Sequence, residues 1–230
     1  MKIITSKKSI LNLIKIVLLI VIFTHSITWL IANSFPENRI LADIHGRFNL
    51  DAELSVTTWF SSILWLFFGT LCLLISRQHK GKQSFGWLLL AITGFLASID
   101  EVAALHELLL QGLHILAQFG EGRQSLIANA WLIVLPLILF FAIIGIKIIK
   151  SFVPSDTKRS LMIGFSVFLI GAVIFEYISI PFDKSLSIYS LGIVIVEEGL
   201  EITGVILLIA STTKHISRHE QRLAKHLRAI

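Results

Sequence analysis

Apolar residues fall in six runs of about 17–24 positions, separated by short polar segments, and each run is long enough as a helix to cross a hydrocarbon core about 30 Å thick. The runs cover Ile10 to Ile31, Thr57 to Ile75, Phe85 to Leu105, Leu126 to Ile149, Leu161 to Ile180 and Ile188 to Ala210. The pattern predicts an all-α fold: a polytopic membrane helical bundle of about six transmembrane helices. Little chain remains between the runs, so residues 1–230 are read as a single integral membrane domain. The third run keeps its helical character as far as Gln118, about 50 Å at 1.5 Å per residue, which one crossing does not need. The expectation is therefore a long tilted helix, or a break near Asp100 followed by an outer interfacial helix over 106–118.

Composition agrees with this reading. Hydrophobic residues make up 55% of the 230 positions and charged residues 15%, with mean hydropathy +0.82. An ordinary soluble domain is about one quarter charged, so that class is excluded. The formal charge of +5 raises the question of nucleic acid, and the positions of the basic residues answer it. Arg77 to Lys82, Lys147 to Arg159 and Lys214 to Arg228 are basic, whereas the intervening segments are neutral or slightly acidic. That alternation follows the positive-inside rule, puts both termini in the cytoplasm, and needs no nucleic-acid partner. The expected location is the bacterial inner membrane. The partners expected are the lipid bilayer and, at the basic C-terminal tail, anionic lipid; no protein partner is specified. The first run, preceded by Lys2, Lys7 and Lys8, is read as a retained helix rather than a cleaved signal. Trp29, Trp59, Trp87 and Trp131 lie near run ends, where interfacial tryptophans are expected. Cys72, the single cysteine, reads as a small buried hydrophobe.

The candidate chemistry lies inside the apolar runs. Asp100, Glu101, His106 and Glu107 occur in "SIDEVAALHE", Glu176 in "IFEYIS", and Glu197, Glu198 and Glu201 in "VEEGLEITG". A charged side chain at mid-bilayer costs about 2.5–3.5 kcal/mol even on the lenient insertion scale. Seven carboxylates without a Lys or Arg among them therefore require protons or a bound cation. Counting about 1.5 Å per residue from the cytoplasmic ends places Asp100, Glu176 and Glu197 at about 20–23 Å, in the outer half. Glu197 and Glu201, at i and i+4, form the best chelating pair. Glu107 stands seven residues from Asp100, on its face but too far along the axis to share an ion. Gln111, His114 and Gln118 continue that polar stripe.

An all-oxygen set with at most one or two histidines suits Mg, Mn, Ca or Fe. The metal ligands expected are Asp100, Glu101, Glu176, Glu197, Glu198 and Glu201, with His106 and Glu107 as the proton-transfer pair. Glu-x-x-His, H-E-x-x-H, G-x-S-x-G and Gly-rich phosphate motifs are missing. Plainer readings stand beside these. Glu176 can be protonated and bonded near Tyr177 and Ser179, and His25 and His114 can serve packing. The acids and hydroxyls around Asp51, Glu53, Thr57 and Thr58 favour a helix N-cap, with Glu53 as a possible closure of the outer mouth.

"NLDAELSVTTWFSS", "LASIDEVAALHE" and "EEGLE" together resemble a group of small bacterial multi-spanning membrane proteins of unassigned function. The S-x-D-E-x4-H-E stretch is the most specific part. The resemblance implies that Asp100, Glu101, His106 and Glu107 act as a unit, and it supplies no reaction. Three functions stay open. One is a metal-dependent enzyme acting on a lipid or lipid-linked substrate from the outer leaflet. The second is a cation- or proton-coupled transporter, and the third is an accessory subunit of a membrane complex.

Overall fold

The structure is a computed structural model that describes residues 2–105, 108, 130–179 and 187–228. Seven helices carry the described chain: α1 (Lys2–Ser34), α2 (Arg39–Phe48), α3 (Val56–Gln78), α4 (Gly81–Ala103), α5 (Ala130–Phe152), α6 (Ser155–Ser179) and α7 (Ile188–Arg228). Among the described residues there is no strand. Among the described residues, four helices are long and apolar enough to cross a membrane, within Ser9–Ser34, Val56–Gln78, Gly81–Ala103 and Ser155–Ser179. Their outer faces carry large apolar side chains, Leu19 at 66% and Phe23 at 65% exposure among them. Water would penalise such a surface and lipid would not, which is the mark of a membrane protein.

The core is one contiguous cluster drawn from six of the helices, including Val21, Leu64, Phe68, Ile75, Trp87, Ile149, Leu161 and Val205, with Cys72 fully buried within it. The α3 and α4 helices pack most extensively. Their two-residue turn, His79 and Lys80, is followed by Gly81 at φ +61°, a left-handed conformation that suits glycine. Ser76 and Ser84 tie the turn with hydroxyl-to-carbonyl bonds of 2.8 and 2.9 Å. At the far end of the same pair Ser62 donates to the Ser98 carbonyl at 2.8 Å. Ser55 caps α3 in a reciprocal box with Thr58.

Where the sequence predicts a loop between the first two spans, the structure has the ten-residue helix α2. Asn38 caps it, accepting from the Ile40 and Leu41 amides. Ile40 and Ile44 are exposed at i and i+4, with Arg39 and Arg47 among the polar positions, the composition of a helix lying in a membrane interface. The break expected near Asp100 falls at Ala104, which is left-handed at φ 47°, and the Leu108 amide then bonds the Ala104 carbonyl. The interfacial helix expected over 106–118 lies, apart from Leu108, outside the described residues. Two of the tryptophans expected at the interface are buried, Trp29 as well as Trp87. Trp87 is fully buried against His215, because the α3–α4 turn folds its end of α4 under α7, whereas Trp59 is exposed as an interfacial ring should be.

The α6 and α7 helices cross in backbone contact. A Cβ placed on Gly204 would sit 2.5 Å from the Phe168 amide nitrogen, and one on Gly164 would sit 2.9 Å from the Leu208 nitrogen. Small residues that let backbones touch are how membrane helices associate. Gly204→Ala is therefore expected to lower the stability of the protein in detergent by about 1–3 kcal/mol, since backbone cannot move aside as a side chain can. Gly199→Ala, with open space around it, should leave the unfolding midpoint unchanged or raise it slightly. Thermal unfolding of the two variants side by side checks this.

Candidate functional site

The α6 helix is not α-helical throughout. Ile170–Phe175 form a π segment in which the Glu176 amide bonds back to the Gly171 carbonyl, five residues earlier. The extra residue shifts the helix face, so Glu176 emerges at a rotation that regular geometry would not give it. Gly171 makes the shift possible: a Cβ there would stand 2.7 Å from the Glu201 Cγ and 2.8 Å from the Glu197 carbonyl oxygen. The π segment thus lies directly against the turn of α7 that carries Glu197 and Glu201.

Glu197 is 2% exposed. Its carboxyl is within hydrogen-bonding reach of Glu176, while its Oε2 has no partner among the described residues. Two carboxyl groups in that contact hold either a proton or a cation between them. The charges acting most strongly on Glu197 are Glu176, Glu201 and Asp51; those on Glu198 are Glu201, Glu101, Asp51 and Glu197. All are carboxylates. Six acids from the α2–α3 connection, the end of α4, the end of α6 and the start of α7 thereby converge on one end of the bundle.

The sequence-predicted ligands are thus largely gathered. Glu101, Glu176, Glu197, Glu198 and Glu201 interact, and of the α4 pair it is Glu101 whose charge reaches Glu198, with Asp100 half-buried beside it. His106 and Glu107 lie outside the described residues, as do Gln111, His114 and Gln118. Among the described residues, no group of three or more His, Cys, Asp or Glu is arranged to hold a metal ion. Asp51 is the member that sequence reasoning did not place: the mouth was assigned to Glu53, whereas it is Asp51 that acts on both glutamates. The available signal was its position just before the second span. The π segment had no signal beyond Gly171, five residues before Glu176.

Asp51 is held by its neighbour. The Leu50 amide donates to His25 Nδ1 at 3.2 Å, which pins the connection to α1. His25 stacks at 5.5 Å on His45 of α2, whose Nδ1 meets the Thr28 hydroxyl at 3.2 Å.

The fold and the buried acids define a helical membrane protein with a carboxylate cluster between its spans. The chain belongs to the family described as "Domain of unknown function (DUF8692)", whose model matches residues 13–216. No curated protein and no solved structure matches it.

Burial lowers the pKa of His45 below its ordinary 6.5. The neutral ring therefore stabilises the docking of α2 fully above pH 6.5, and that contribution is lost as the pH falls from there through the lowered value. Amide protection over residues 39–50, taken as the observed exchange rate against the intrinsic rate at each pH, should be a few-fold lower at pH 5.5 than at pH 7.5. His45→Gln, neutral at both, should remove His45's share of that difference.

Proposed function

We propose that this is a six-span protein of the bacterial inner membrane, with both termini cytoplasmic, that binds a divalent cation at an outward-facing carboxylate site. The observation that carries this reading is the convergence of Asp51, Glu101, Glu176 and Glu201 on Glu197 and Glu198, whose strongest charged neighbours are all carboxylates. Like charges in an apolar bundle repel strongly, and a bound cation relieves that repulsion. Oxygen donors favour Mg, Mn, Ca or Fe. Glu176 and Glu197 are the bridging pair, and modest side-chain rotation brings Glu201, one turn along α7, to the same ion. Asp100 stands in reserve at the end of α4. The chemistry assigned to the ion is activation of water or polarisation of a substrate oxygen, on a lipid or lipid-linked substrate entering from the outer leaflet, with His106 and Glu107 transferring the proton.

A second reading is a cation- or proton-coupled transporter. The contact between Glu176 and Glu197 favours it, because a carboxyl pair that exchanges a proton for a metal ion is a coupling device. The π segment beside it supplies an element able to change register.

Elemental analysis of the protein purified at neutral pH should find about one Mg, Mn, Ca or Fe ion per chain, lost in Glu197→Gln and Glu201→Gln. A metal-free wild type would overturn the reading. Proteoliposomes separate its two forms: Mn2+ uptake driven by a pH gradient and abolished by Glu197→Gln indicates a transporter, and bound metal without uptake indicates an enzyme.

A further inference from the structure

At the other end of α7 a second polar cluster is built from residues that the carboxylate site does not use. His215 lies 18 residues beyond Glu197, about 27 Å along the helix and close to the thickness of a hydrocarbon core. Its ring packs 5.5 Å from His79 at the end of α3, and His79 packs 5.1 Å from His219. His215 and His219 are i and i+4 on α7, the spacing by which one helix offers two imidazoles to one ion. We propose that His79, His215 and His219 form a binding site for a transition-metal ion of the Zn2+ class.

The ring spacing suits such an ion. With metal-to-nitrogen bonds of about 2.0–2.1 Å, each imidazole centroid lies about 3.2 Å from the ion, and rings meeting at the tetrahedral angle have centroids about 5.2 Å apart. The two distances from His79 bracket that value.

The tautomers of His79 and His215 are also set by their neighbours. A ligating histidine typically donates its other ring N–H to an oxygen. His79 Nδ1 bonds the Ile75 carbonyl at 2.9 Å, which can only accept, so Nε2 keeps its lone pair. His215 Nδ1 meets the Thr157 hydroxyl at 2.8 Å. The Thr157 hydroxyl is in turn oriented toward Asp156 Oδ1 at 3.4 Å, which lets it accept from His215 and leaves Nε2 as the ligand atom there also. Trp87 stacks on His215 at 5.0 Å and closes the cluster from the core. The nearest cation on α7, Arg218, is drawn aside by the Asp156 carbonyl at 3.0 Å.

The three nitrogens are not gathered on one point as described. His219 completes the set by rotating, a motion that no hydrogen bond opposes among the described residues. Three imidazoles leave a fourth position for water, and nitrogen donors select Zn2+, Co2+ or Ni2+ over the hard cations suited to the carboxylates. The inference is independent of the proposed function.

Co2+ titration of the full chain in detergent is the test. Wild type should give the intense visible absorption of tetrahedral Co2+ at about one equivalent, displaced by Zn2+. Glu197→Gln should leave it unchanged. His79→Ala and His219→Ala should each weaken binding by more than about tenfold, and Thr157→Val by about tenfold through loss of the orienting bond. The readout that does not depend on recovering every variant is the unfolding midpoint: Zn2+ should raise it in wild type and not in His219→Ala, whose ring is half-buried near the exposed end of α7. Absence of tetrahedral absorption, or its persistence in both histidine variants, would overturn the site.

Discussion

Backbone contact between α6 and α7 governs where every polar group of this bundle can stand. Gly164, Gly171 and Gly204 remove the side chains that would hold the helices apart, so the two run together from Thr157 and His215 at one end to Glu176 and Glu197 at the other. In a bilayer no hydrophobic force draws helices together, and close packing of small residues supplies the attraction. A side chain at position 171 would press against the turn that carries Glu197 and Glu201, since the glycine already abuts the Glu201 side chain and the Glu197 carbonyl. The polar site therefore depends on residues that carry no polar side chain.

The carboxylates work against that packing. Bringing six acids from four elements into an apolar setting costs far more than any single burial, and protons, cations or polar partners must offset that cost. The π segment fits the same logic. An irregular turn inside a membrane helix weakens its own hydrogen bonding and is retained where it aims a functional group, here Glu176. At the same end of the bundle His25 holds the Leu50 amide and with it the connection bearing Asp51, so α1 and α2 act as a frame for the site as well as a lipid-facing wall.

The length and apolarity of the spans were legible in the sequence because a bilayer imposes a minimum run of apolar residues that local composition cannot disguise. So were Glu176, Glu197 and Glu201, since ionisable groups stand out against such a background. The rest was hidden for identifiable reasons. The α2 helix is short and amphipathic, and between two spans its residues read as a polar loop. That Trp87 is buried rather than lipid-facing could not be read from its place in the chain, because it is the two-residue turn after α3 that sets it against His215 of α7. The histidines of α7 read as part of a basic tail because His79 lies 136 positions before His215, and only the α3–α4 hairpin brings it there.

The sequence by itself determined that this chain is helical, lipid-facing and loaded with acids inside its spans, because each of those properties is local to a run of residues. The tertiary structure decided which acids meet, choosing Glu101 and Asp51 to complete the group around Glu197, and which histidines meet at the opposite end. Those choices depend on helix rotation and on backbone separation. Both are set by glycines and by one π turn, through contacts between helices distant in the chain.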